Sequence, residues 1–223
     1  MRLDIRDVIL VLGKTGYGKT WWTRLFTHSA KRLFVYDPLL KYDSVHFFAN
    51  SSYLLETLEP EIEEFRIGIS DPSEISVLGN VSFVKGNNIL VLEELSTIFS
   101  RGQVTPQWAK RLIFLGRHRA CSIIAIAQRP YSIPIDLRSQ ANRVISFAQM
   151  EGDDLSWLHD IYGNECIKKL PFLPPFTCID YDGQEVCQYS IKTGIKSVFH
   201  VELESRPSNL FRFSEEKNLC LSP

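Results

Sequence analysis

Residues Gly13-Lys14-Thr15-Gly16-Tyr17-Gly18-Lys19-Thr20 read GKTGYGKT, a complete Gly-x-x-x-x-Gly-Lys-Thr loop that follows directly on the apolar run Val8 to Leu12. A chain that wraps a polyphosphate must aim successive backbone N–H groups inward and set the positive end of a helix behind them. Gly13, Gly16 and Gly18 can take the backbone angles that this wrap needs. Lys19 can then reach the β- and γ-phosphates, and the Thr20 hydroxyl can ligate Mg²⁺. At ordinary residue frequencies a chance match somewhere in a chain of this length has a probability of about 1%. The helix-compatible stretch TWWTRLFTHSAKRL behind the loop completes the strand–loop–helix context. The whole loop, Gly13 to Thr20, is therefore read as the ATP-binding element, with Tyr17 as a side chain that can shield the phosphates.

Outward from the loop, short apolar runs alternate with longer segments of helical spacing or turn residues. That pattern describes an α/β fold with a mostly parallel central sheet flanked by helices. The strands expected are Val8 to Leu12, Leu33 to Tyr36, Phe65 to Ile69, Ile89 to Leu92, Ser122 to Ala127 and Val144 to Phe147. Two shorter ones follow, Phe176 to Ile179 and Val186 to Ile191, joined by an Asp182-Gly183 turn. Helices are expected at Lys19 to Ser29, Ser52 to Leu58, Pro106 to His118 and Asp153 to Tyr162, with a short one at Ile135 to Ser139. The 223 residues suit one domain, 1–192, followed by a tail, 193–223, that lacks a clear period and reads as irregular or as a partner-docking arm.

Composition narrows the setting. No apolar run approaches the roughly 20 residues needed to cross a bilayer, and no signal peptide is evident at Met1, so an intracellular protein without a transmembrane segment is expected. The five cysteines, Cys121, Cys166, Cys178, Cys187 and Cys220, form no Cys-x-x-Cys pair and suggest neither a disulfide framework nor a zinc site. The five histidines show no metal spacing. Net charge is −1, but between Arg101 and Arg143 the basic residues are Arg101, Lys110, Arg111, Arg117, Arg119, Arg129, Arg138 and Arg143, against a single acid, Asp136. Such a cluster suggests phosphate contacts, to nucleotide or to nucleic acid, with a solvated charged surface as the plainer reading.

Two further elements extend the site. Glu93-Glu94 follows an apolar strand, and in a parallel sheet the carboxyl ends of neighbouring strands share one crevice, which brings both acids beside the phosphate loop. Glu93 is assigned to the magnesium ion and Glu94 to the attacking water. The strand SIIAIA ends in Gln128-Arg129-Pro130, where Gln128 can contact the γ-phosphate or the water, or can be a surface residue before a turn. Asp37, at the end of another strand, either borders the site or caps a turn. Trp21 and Trp22 follow the loop on the first helix; one is expected to pack on the sheet, and the other either flanks a base or, as the plainer reading, packs in the core.

These motifs together, GKTGYGKT, VYDP, LVLEEL and above all LGRHRACSIIAIAQRPYSIPIDLRSQANRVISF, resemble the HerA/FtsK superfamily of nucleic-acid-pumping ATPases over about Asp7 to Ser190. The resemblance implies a RecA-like additional-strand (ASCE) P-loop NTPase core, a homo-oligomeric, usually hexameric ring, and ATP hydrolysis between subunits that moves double-stranded DNA. A core this short is similar to the genome-packaging ATPases of tailless icosahedral DNA viruses, including those with an internal membrane. Host cytoplasm or the virion, and a capsid or membrane-vertex protein as partner, follow as expectations. The alternatives are a cellular or plasmid translocase of the same superfamily, a Zot-like assembly ATPase, and a nucleotide switch or small-molecule kinase. In a ring, a neighbour's arginine completes each site; the candidates are Arg117, Arg119 and Arg143. Ser100 to Val104 and Tyr131 to Arg138 are the candidate DNA-contacting loops.

Overall fold

The apolar run ahead of the phosphate loop is strand β1, Val8–Leu12, buried along its whole length in a computed structural model that describes residues 7–48, 50, 54, 63–99, 104–194 and 196–199. A strand covered on both faces needs no polar alternation, hence the unbroken VILVL. The described residues supply nine more strands: β2 Arg32–Tyr36, β3 His46–Phe48, β4 Phe65–Ile69, β5 Asn88–Leu92, β6 Cys121–Ala127, β7 Arg143–Ser146, β8 Thr177–Tyr181, β9 Val186–Ser190 and β10 Lys196–Phe199. They form one sheet in the order β10-β9-β8-β7-β1-β6-β5-β2-β4-β3. All neighbours from β7 to β3 run parallel, and β7 through β10 pair antiparallel. The α/β class and the parallel core agree with the sequence reading. β6 stands between β1 and β5, which is the additional strand of the expected architecture.

Helices α1 Lys19–Phe26, α2 Ile75–Lys85, α3 Gln107–Leu115, α4 Ile135–Ser139, α5 Gly152–Tyr162 and α6 Asn164–Lys169 cover the sheet. Alternate strand residues point to opposite layers. Leu10, Leu12, Phe34, Tyr36 and Leu90 pack with Leu78, Leu112 and Leu158 on one face, while Ile9, Val11, Leu33 and Val35 pack with Trp22 on the other.

Sequence reasoning passed over α2, α6, β3 and β10. In ISVLGNVSFVK the apolar residues are spread around the helix, with Val84 exposed, so no amphipathic period marks it. Gly79, a poor helix residue, is there for packing: a Cβ on it would collide with the Trp108 ring of α3. Strand β3 has only three residues, and β10 lies four residues into the stretch expected to be irregular, where it pairs with β9. The helix expected at Pro106 to His118 ends at Leu115 and tightens into a 3₁₀ turn, Gly116–Arg119. That expected at Ser52 to Leu58, apart from Leu54, lies outside the described residues, as do Ser100 to Gln103 and residues 201–223.

Candidate functional site

The loop between β1 and α1 takes its shape from positive backbone angles at Gly13 (φ 138°), Gly16 and Gly18. At Gly13 the reason is twofold, since a Cβ there would also lie 2.6 Å from Cβ of Phe147. The segment after β7 runs this close because Phe147 N–H donates to the Leu12 carbonyl and Lys14 N–H to that of Ala148. Gly18 caps α1 in the left-handed conformation, leaving the first amides of the helix without partners inside it. Lys14 and Thr15 are exposed on the loop, and Tyr17 is half-buried. Lys19 is 7% exposed, its ammonium donating to the carbonyls of Gly13 at 2.7 Å and Lys14 at 3.0 Å. Burial holds its pKa below the usual lysine value, opposed by the charges of Glu94 and Glu93. A positive group is thus stored against two carbonyls of the loop itself, beside the unpartnered first amides of α1, a pairing suited to a polyphosphate.

Strand order brings the acids to this cradle. Leu12 pairs with Ala127 and Leu92 with Ala125, so β1, β6 and β5 end at one edge and β6 projects two residues further than β5. Glu93 is fully buried. Its Oε1 accepts from the Tyr42 hydroxyl at 2.9 Å, and its Oε2 is buried without a hydrogen-bond partner. Burial raises its pKa to about 7 against the opposing hydrogen bond from Tyr42, the positive charge of Lys41 and the nearby Thr20 hydroxyl. A buried carboxylate oxygen without a hydrogen-bond partner beside a threonine hydroxyl is costly by itself and a suitable pair of donors for a hard cation. Thr20 and Glu93 therefore fit Mg²⁺ in donor type.

Glu94 follows in the left-handed region (φ 49°), a sparsely populated conformation for a side chain of its kind, and opens the 3₁₀ turn Leu95–Thr97. Thr97 secures that turn by donating its N–H and hydroxyl to the Glu94 carbonyl, each at 2.8 Å, and the Tyr36 hydroxyl lies 2.8 Å from the Thr97 hydroxyl. The half-buried Glu94 carboxylate has Lys41 Nζ at 4.0 Å. Gln128 is exposed at the tip of β6, and its backbone carbonyl accepts from the side chain of Gln149 at 2.8 Å. Gln149 is itself 3% exposed on the segment that flanks the loop.

Lys41, Tyr42 and Gln149 belong to no local motif, and only the strand order brings them to the acids. Asp37 caps the turn, being fully buried and accepting from the N–H groups of Leu39, at 2.9 Å, and Lys41, and it also borders the site, where its charge adds to the upward shift of Glu93. By fixing that turn it presents Lys41 to Glu94 and Tyr42 to Glu93.

The three candidate arginines lie elsewhere. Arg117 and Arg119 precede β6, at the edge opposite the phosphate loop and about 20 Å away along that seven-residue strand, while Arg143 begins the four-residue β7 level with Ile9, about 13 Å from the loop. Arg143 is taken up by its own chain, since its Nε and Nη2 grip both oxygens of Asp180, with Nε to Oδ1 at 2.9 Å, while its guanidinium lies over the Trp22 and Phe26 rings. Arg119 is partly committed, donating to the carbonyls of Phe83 and Val84. Arg117 is exposed and contacts His118. The basic cluster is likewise thinner in space than in sequence, because Arg129 pairs with the buried Asp154 at 2.7 Å.

Among the described residues no helix is long and apolar enough to cross a membrane. The sequence matches no protein-family model and no curated protein. Solved structures are similar in fold. The genome packaging NTPase B204 from Sulfolobus turreted icosahedral virus 2, in complex with AMPPCP, is 16% identical with a TM-score of 0.65, over 88% of this chain and 97% of that one. The pCW3 conjugation coupling protein TcpA, with ATPγS, is 16% identical with a TM-score of 0.54, over 85% of this chain and 62% of that one. VirB4 of Thermoanaerobacter pseudethanolicus is 12% identical with a TM-score of 0.52, over 81% and 88%. With β6 inserted between the strand that carries the phosphate loop and the strand that carries the acids, the chain has the fold of a RecA-like, additional-strand P-loop NTPase.

Proposed function

We propose that the chain is an Mg-ATP-hydrolysing motor that assembles as a homo-oligomeric ring, a hexamer by its HerA/FtsK resemblance, and translocates double-stranded DNA. The observation that carries this reading is the meeting, at one sheet edge, of the Lys19 cradle, the Glu93-Glu94 pair and the projecting tip of β6. Lys19 leaves its carbonyl partners to neutralise the terminal phosphates, and Thr20 with Glu93 would hold the metal. Mg²⁺ held there would supply positive charge to offset the charge gathering on the phosphate oxygens. Glu94 accepts a proton from water as the water oxygen bonds to the terminal phosphorus. The bond from that phosphorus to the bridging oxygen breaks, and ADP leaves with its electron pair. Gln128 reports the state of the terminal phosphate to the segment beyond it. A neighbour's Arg117, the least committed of the three candidates, completes the site across the ring.

Packaging a viral genome into a preformed capsid, in the host cytoplasm and at a capsid or membrane-vertex protein, is the reading favoured by the likeness to the genome packaging NTPase B204, whose chain this one matches almost end to end. The likeness to the conjugation coupling protein TcpA supports a cellular or plasmid translocase as the second reading. Either motor should hydrolyse ATP several-fold faster on long duplex DNA, with the stimulation falling between about 50 and 200 mM salt as backbone contacts weaken. Steady-state hydrolysis with and without duplex decides the matter. Rates indifferent to DNA at both salts would favour a nucleotide switch or a kinase.

A further inference from the structure

The sheet assigns a direction to whatever lies across the phosphate loop. Glu93 and Glu94 stand on the β5 side of β1, and β7 and β8 stand on the other side. A nucleoside triphosphate whose terminal phosphoryl group faces the acids therefore directs its nucleoside toward β8. Two aromatic side chains are waiting there. Trp21, the residue after Thr20 on the first turn of α1, is 45% exposed, whereas Trp22 is 3% exposed and stacks on Phe26 inside the fold. Phe176, at the approach to β8, meets Trp21 edge-on, with ring centroids 6.2 Å apart and planes at 85°.

Phe176 is held firmly against the loop. Its N–H donates to the Tyr17 carbonyl at 2.8 Å, and its carbonyl accepts from Ile191 N–H at 2.8 Å. A Cβ placed on Gly18 would come within 2.9 Å of its ring. Its backbone adopts a left-handed angle (φ 63°), which is unfavourable for a bulky residue and persists only where the surroundings impose it. Lys192 Nζ sits 4.3 Å from the centre of the ring, a cation–π contact beside the same lip. An exposed indole, a braced phenyl ring and a cation thus share one side of a polyphosphate cradle.

We propose that Trp21 and Phe176 form the nucleobase platform of this site, with the base stacked on the exposed indole of Trp21, braced edge-on by Phe176, and with Lys192 placed for the sugar–phosphate end. The inference rests on the nucleotide reading above and adds the residues that hold the base. Every nucleobase offers a π-face, so such a platform favours purines by stacking area and discriminates little between adenine and guanine.

Binding of ATPγS and of inorganic triphosphate, each with Mg²⁺, by the full chain and its Trp21→Ala, Trp21→Phe and Phe176→Ala variants tests it. The expected result is that Trp21→Ala weakens ATPγS about tenfold and leaves inorganic triphosphate within twofold. Trp21→Phe should recover most of the loss, and Phe176→Ala should lose part of it. Equal losses for both ligands, or no loss for either, would overturn the platform while leaving the phosphate cradle standing. Wild type that binds neither ligand would overturn the nucleotide reading and the platform with it.

Discussion

Glu94→Gln is expected to lower ATP hydrolysis by about 10³-fold while leaving nucleotide affinity within a few-fold, because the amide keeps the size of the side chain and loses its ability to take a proton. The effect should fall on the chemical step. Glu94 is neither buried nor part of the phosphate cradle; it is held by its left-handed backbone and the Thr97 turn so that its carboxylate faces the edge shared with Lys19. Single-turnover hydrolysis alongside ATPγS binding separates the two quantities. A variant that hydrolyses at more than a tenth of the wild-type rate would transfer the base role to another group.

The second large effect concerns stability and carries a definite sign. With a folded-state pKa of about 7, against an ordinary value of 4.5, Glu93 keeps its proton in the folded chain over a range where the unfolded chain has lost it. The stability that this difference supports is complete below pH 4.5, falls as pH rises, and is gone above about pH 7. The full loss is up to about 3 kcal/mol at 1.36 kcal/mol per pH unit.

Glu93→Gln cannot ionise and still offers an oxygen to the Tyr42 hydroxyl. In metal-free buffer the variant should match wild type near pH 4.5 and exceed it by about 2 to 3 kcal/mol at pH 8, when followed by urea unfolding. Mg²⁺ should raise the melting temperature of wild type at pH 8 and leave the variant unmoved. Parallel pH profiles for the two proteins would show that Glu93 does not carry this cost. Stability surrendered at a buried carboxylate is what the proposed magnesium role of Glu93 would require.

The two halves of the site differ in how far local sequence revealed them. The phosphate loop was legible in full, because its spacing is a local demand of backbone geometry and the strand before it is unbroken VILVL. The acid pair was legible from polarity, two carboxylates ending a run of apolar residues. Their supports were not. Tyr42 and Lys41 reach Glu93 and Glu94 through a turn fixed by Asp37, and Gln149 reaches Gln128 across the end of β7; these are consequences of strand order, which no neighbouring residue spells out.

Charge misled for the same reason. The segment from Arg101 to Arg143 is basic along the chain, yet Arg129 and Arg143 find Asp154 and Asp180 outside it. Helix α2 escaped because its apolar residues follow no period and its glycine answers to Trp108 on another helix. Of the first-helix tryptophans, Trp22 packs in the core, the plainer reading of the pair, whereas Trp21 lies exposed beside Phe176, a neighbour that nothing in the local sequence announces.

Displacement of a triplex-forming oligonucleotide from the far end of a long DNA duplex tests the motor directly, since the third strand is released only when something travels along the double helix to reach it. The account predicts ATP-dependent release by wild type, with a delay that lengthens with the distance travelled, and no release by Glu94→Gln. Brisk hydrolysis by wild type with an unchanged triplex lifetime at every duplex length would contradict it.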